Sequence, residues 1–112
     1  MRKGVNRAVA VYARTATDGV AGLGCERQVR AARKVAGEDP VVFADVARSG
    51  NDAKRPGLGR LLEVARAGQI SRVLVRDATR LARNPDLLAD VLQQLAAAGA
   101  VVETIEEAPA NA

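Results

Sequence analysis

Rings are almost missing from this chain. Its 112 residues hold one tyrosine, Tyr12, one phenylalanine, Phe43, and no tryptophan, too few for the stacked platforms on which proteins lay single-stranded bases or a flavin. Histidine is absent and cysteine occurs once, as Cys25. This excludes zinc-site spacing, a Cys–His nucleophile and a Ser-His-Asp triad. It also makes no disulfide necessary, as suits a reducing interior. No apolar run approaches the roughly 20 residues of a membrane span, and Met1-Arg2-Lys3 leads into no apolar signal core. The expectation is a cytoplasmic protein with no membrane partner.

What is present suffices for a core. Hydrophobic residues make up 48% of the chain and charged residues 27%, so residues 1–112 read as one domain able to bury roughly two-thirds of its unfolded surface. With so few rings, that core must be Val, Leu, Ile and Ala. The formal net charge of +4 favours an anionic partner, nucleic acid first among them.

The organising stretch is Ala8-Val9-Ala10-Val11-Tyr12-Ala13-Arg14-Thr15-Ala16-Thr17. It opens as a small, β-branched apolar run, the composition of a strand buried on both faces, and ends in hydroxyls and an arginine. Period-two alternation puts Tyr12, Arg14 and Ala16 on one side, with Ala13, Thr15 and Thr17 on the other. A glycine-rich loop over 18–24 follows; its spacing matches neither nucleotide-binding loop pattern. The periodicity predicts a helix over 25–36 with Val29, Ala32, Val35 and Ala36 inward and Gly37 as its stop. A second buried strand, Val41-Val42-Phe43-Ala44, ends in Asp45, and a basic turn at Lys54-Arg55-Pro56-Gly57 opens a helix carrying Leu58, Leu61, Leu62 and Ala65. A third strand, Val73-Leu74-Val75, runs into Arg76-Asp77-Ala78-Thr79-Arg80, and Pro85 starts a helix with Leu87, Leu88, Val91, Leu92 and Leu95. A last strand spans 100–105. Strands alternating with helices of 10–13 residues predict a three-layer α/β fold: a mainly parallel sheet of four to five strands flanked by helices on both faces.

In open sheets of this kind, ligands gather beyond the carboxyl ends of the strands. Arg14, Arg55, Arg80 and Arg83 all fall at strand ends or helix starts. If they share one cleft, their mutual repulsion asks for an anion, and planar guanidiniums suit phosphate. The alternative is that each lies separately along the surface. A small flavodoxin-like or receiver-type binding module without a DNA role is the competing functional reading. A receiver, however, needs an acidic cluster for Mg²⁺, and here Asp45 and Asp77 are dispersed among basic strand ends.

Tyr12-Ala13-Arg14-Thr15-Ala16-Thr17 resembles the Tyr-x-Arg-x-Ser-Thr signature that opens the catalytic domain of serine recombinases, the resolvase, invertase and large serine integrase family. Further segments follow in that family's order: Gln28-Val29-Arg30, Asp45 with Ser49-Gly50, Arg55-Pro56-Gly57-Leu58, Val73-Leu74-Val75 and Arg80-Leu81-Ala82-Arg83-Asn84. The resemblance covers roughly residues 8 to 106. It implies a resolvase-like catalytic domain in which a serine hydroxyl attacks the scissile DNA phosphate and forms a phosphoserine link. It implies no metal and no cofactor, so arginines must hold the charge that builds on the phosphoryl oxygens. Arg14, Arg80 and Arg83 would stabilise that charge, with Arg55 completing the pocket. Tyr12, Gln28, Asp45 and Ser49 would orient the arginines and the nucleophile. The implied partner is the DNA phosphate backbone, with a homodimer, a tetramer or pairing with an active recombinase.

Three departures qualify that picture. Ala16 occupies the position of the nucleophilic serine, and a methyl group cannot attack phosphorus. The resemblance therefore implies a catalytically impaired domain. Thr15 and Thr17 point to the other face by alternation, and Ser71 falls at the far end of its strand. Thr79 stands where many resolvases carry Asp before the first arginine of this motif, with Asp77 two residues earlier. The family's long dimer-forming helix and separate DNA-binding domain are not expected within these 112 residues.

Overall fold

The computed structural model describes residues 7–15, 21–45 and 55–105. Within them the chain runs β1 (Ala8–Arg14), α1 (Ala21–Ala36), β2 (Val41–Asp45), α2 (Pro56–Arg66), β3 (Ile70–Val75), α3 (Ala78–Leu81), α4 (Pro85–Ala97) and β4 (Val101–Thr104). The described strands form one four-stranded sheet in the order β2-β1-β3-β4, every pair parallel. Such pairing needs crossovers, and the helices supply them.

Side-chain alternation along β1 feeds two cores. Ala10 and Tyr12 face the larger one, with Phe43, Leu58, Leu61, Val73, Val75, Leu81, Val91 and Leu95. Val9 and Val11 face the smaller one, with Ala32, Leu74 and Ile105. Thus α2, α3 and α4 cover one face and α1 the other, which is the expected three-layer α/β architecture with four parallel strands. The helices α1, α2 and α4 run up to Gly37, Gly68 and Gly99, each at positive φ. Asn84 caps α4 by accepting from the backbone N–H of Asp86 at 2.8 Å and Leu87 at 3.1 Å, with Pro85 at the first position.

Several local expectations are corrected. Helix α1 begins at Ala21 rather than at 25, so Gly22 and Gly24 are helical despite their low propensity. At Gly24 there is a packing reason: a Cβ there would stand 2.8 Å from the Thr15 methyl, so only glycine lets α1 approach the end of β1. The buried ridge of α1 is Cys25, Gln28 and Ala32, while Val35 is exposed. Strand β2 is not buried on both faces. It is an edge strand, leaving Val41 and Val42 44% and 48% exposed; which strand lies outermost depends on topology, not on composition. Strand β3 starts earlier, at Ile70, and β4 is confined to Val101–Thr104. The short helix α3 was not expected, being too brief to show an apolar period; its one local signal is Asp77 at the N-cap.

Leu61 is fully buried at the centre of the larger core. Leu61→Ala should lower unfolding free energy by about 3 kcal/mol, seen as an earlier urea midpoint with an unchanged slope.

Candidate functional site

The register places Arg14, the last residue of β1, directly beside Asp45, the last residue of β2. Both are buried, and so is Arg55, the residue before α2. Asp45 ties these elements together. Its Oδ2 accepts from the Tyr12 hydroxyl at 2.7 Å and from Leu58 N–H at 3.0 Å, and its Oδ1 accepts from Gly57 N–H at 2.8 Å. Helix α2 has no side-chain cap from Arg55 itself. The carboxylate reaching over from β2 takes that place, with its charge at the positive end of the helix. Gly57 permits this docking, because a Cβ there would lie 2.4 Å from the Ala44 carbonyl oxygen.

Arg55 then reaches back to the strands. Its guanidinium carbon sits 5.8 Å from the Tyr12 ring centroid, and its Nη1 donates to the Tyr12 hydroxyl oxygen at 3.2 Å and to the Arg80 carbonyl at 2.9 Å. Its Nη2 donates to the Leu81 carbonyl. Arg14 approaches the same short helix from β1: Nε donates to the Arg80 carbonyl at 3.0 Å and Nη2 to the Thr79 carbonyl at 2.6 Å. Arg80 answers with Nη1 on the Arg14 carbonyl at 3.2 Å. Across the sheet, Gln28 of α1 completes the main chain of β1, accepting from Arg14 N–H and donating to the Arg14 carbonyl, both at 3.1 Å.

Arg14, Arg55 and Arg80, from three separate parts of the chain, thus meet at one carbonyl, that of Arg80, with Tyr12, Gln28 and Asp45 around them. The arrangement differs from four guanidiniums turned into one cleft. Arg14 and Arg55 are 0% and 2% exposed, and direct N–H groups at the carbonyls of α3, which offset the cost of burying their charge. Arg80 is partly exposed and Arg83 exposed. Thr15 lies toward α1 rather than with Arg14, its backbone N–H on the Asp45 carbonyl at 3.2 Å and its methyl against Gly24. Ser71 is remote, its hydroxyl donating to the Ala8 carbonyl at 3.3 Å. Ala16, Thr17 and Ser49 lie outside the described residues.

Residues 9–112 match the family model described as resolvase, N terminal domain. The chain belongs to that family. It is 38% identical over 78 residues to a Bacillus subtilis (strain 168) protein provisionally named a DNA recombinase, an alignment covering 67% of this chain and 16% of that protein. Among solved structures it is similar to a serine recombinase from Sulfolobus solfataricus, at a TM-score of 0.77 and 26% identity, covering 95% of this chain and 74% of that one. It is also similar to the N-terminal catalytic domain of TP901-1 integrase, at a TM-score of 0.76 and 26% identity over 87% of this chain and 76% of that one. The chain therefore spans a small part of its curated relative and about three quarters of these solved chains.

Electrostatics in this resolvase-family site follow from crowding. Burial lowers the pKa of Arg14 most, the Arg55 charge lowers it further, Tyr12 opposes them, and the Arg80 and Arg83 charges add smaller decreases. Two residues of the site, Gly57 and Asp77, have no role that their place in the sequence assigns. Gly57 stands out only as part of the Arg55-Pro56-Gly57-Leu58 segment, and Asp77 only as the acid two residues before Thr79.

Burial, followed by the bond to Asp45, raises the Tyr12 pKa far above its ordinary value, the Arg55 charge pulling the other way. A raised pKa means the native state holds the phenol proton more tightly. Its stabilising contribution is complete below the unfolded pKa of about 10 and is lost as pH rises beyond it. Tyr12 is the sole tyrosine, so tyrosinate absorbance reports on it alone. The folded protein should show no titration near pH 10, the signal appearing only with alkaline unfolding, whereas the urea-unfolded chain should titrate normally.

Proposed function

We propose that this domain binds the DNA phosphate backbone through Arg14, Arg55, Arg80 and Arg83 and is impaired in strand cleavage because Ala16 stands in place of the nucleophilic serine. The observation that carries this reading is the convergence of Arg14 and Arg55 on the Arg80 carbonyl at 3.0 and 2.9 Å, with Arg80 returning a bond to Arg14. Burial is the first cause of the lowered Arg14 pKa, and the charges of Arg55, Arg80 and Arg83 lower it further through their mutual repulsion. An entering phosphodiester relieves it. The more exposed Arg80 and Arg83 take the phosphate oxygens, while Arg14 and Arg55 behind them supply fixed positive potential in a poorly hydrated setting. Tyr12, Gln28 and Asp45 hold that arrangement without touching the DNA, and Ser49 belongs with them by its place in the motif.

In an active serine recombinase the hydroxyl oxygen forms the new P–O bond while the scissile P–O bond breaks toward its leaving oxygen. At position 16 this chain offers a methyl group instead, so the bond-forming atom is missing and binding is what remains. Such a domain acts as a regulatory partner, pairing with a second copy or with an active recombinase. Its affinity is independent of sequence and falls steeply with salt.

Fluorescence anisotropy with a labelled duplex should show weak, salt-sensitive binding. Arg80→Ala should weaken it about tenfold and reduce the salt slope by about one. On a nicked suicide duplex, Ala16→Ser should yield a covalent protein–DNA adduct resistant to denaturant and the unaltered chain none. An adduct from the unaltered chain would contradict the assigned impairment.

A further inference from the structure

Thr79 occupies the place where the motif resemblance leads one to expect a carboxylate next to the first arginine, yet the structure sets a carboxylate beside that arginine from elsewhere. We propose that Asp77 is the positioning residue for Arg80, supplying from the N-cap of α3 the negative charge that position 79 lacks. The inference rests on reading the arginine cluster as a phosphate site and names how one member of it is aimed.

The geometry is specific to the two oxygens of Asp77. Oδ1 accepts from the backbone N–H of Thr79 at 3.0 Å and from the Thr79 hydroxyl, which fixes the carboxylate and caps the helix. Oδ2 is left facing Arg80 Nε at 3.8 Å. Among the described residues that buried nitrogen has no hydrogen-bond partner, and Asp77 is the counter-charge beside it. The separation is that of an ion pair one step short of a hydrogen bond, a common state for site contacts that tighten only when ligand arrives. Arg80 is then held by Nη1 on the Arg14 carbonyl at 3.2 Å and by Nε toward Asp77. Thr79 has an indirect part: its hydroxyl holds the Asp77 carboxylate in the orientation that presents Oδ2. Burial alone would raise the Asp77 pKa, but the Thr79 bonds together with the Arg80 and Arg76 charges outweigh it and lower the value, so the group is ionised at neutral pH.

Helix capping and arginine positioning are separable. Asp77→Asn keeps an oxygen for Thr79 N–H and removes the charge; adding Thr79→Asp returns a carboxylate at the neighbouring position. Two readouts apply to the full chain: the Arg80 Nε–H resonance in ¹⁵N NMR, assigned by its loss in Arg80→Lys, and affinity for a labelled duplex at fixed salt. The expected result for Asp77→Asn is an unchanged thermal midpoint, a shifted and faster-exchanging Nε–H signal, and binding weakened about two- to fivefold, the range for a partly exposed ion pair. Thr79→Asp in that background should recover affinity. Should Asp77→Asn fail to fold, Asp77→Ser, which also caps without charge, gives the same comparison. A folded charge-free variant whose Nε–H signal and DNA affinity match the parent would overturn the inference. A parent that does not bind DNA would instead overturn the phosphate reading, while the Nε–H signal still decides the pairing.

Discussion

One carboxylate, at the carboxyl end of an edge strand, holds this site in place. Asp45 receives the Tyr12 hydroxyl and two backbone N–H groups at the start of α2, so it joins β1, β2 and α2 at one point. Removing it would take away the acceptor for the Tyr12 hydroxyl proton and for two N–H groups at the start of α2, a larger loss than any single surface contact. Arg55 precedes α2 directly, so its direction is set by how that helix docks. The bare Cα of Gly57 serves the same end, because any side chain there would push α2 off the Ala44 carbonyl.

Burying two guanidiniums is costly, and how the fold offsets that cost explains the shape of the region around Arg80. The carbonyls of Thr79, Arg80 and Leu81 face Arg14 and Arg55 because α3 is only one turn long. A longer helix would have taken up those acceptors internally. Brevity in α3 thus gives the two enclosed arginines carbonyl acceptors at its residues. The result is an enclosed inner layer of positive charge with the more exposed Arg80 and Arg83 outside it.

Much of this was legible in the chain itself. Alternation along β1 separates Tyr12 from Val11, and each went to the face its parity dictated. The stop at Gly37 and the Pro85 start of α4 rest on backbone chemistry that acts within a few residues, so they read directly. Val35 and the edge placement of Val41 and Val42 did not, since apolar residues look alike whether a neighbouring element covers them or not. Gly22 and Gly24 read as loop because propensity is local, whereas the closeness of Thr15 that makes Gly24 fit its helix is a contact across the fold.

The sequence by itself determined the alternation of strands with the longer helices, the faces taken along β1, and the placing of Arg14, Arg55, Arg80 and Arg83 near element ends, because these follow from periods of two and 3.6 and from turn residues. Only the tertiary structure decided that Asp45 caps a helix that begins at Pro56, that Arg14 and Arg55 are enclosed while Arg83 is not, and that Asp77 stands by Arg80. Those are matters of which groups become neighbours. A buried charge takes its partner from whatever the packed chain brings within about 3 Å, and that choice leaves no trace in local spacing.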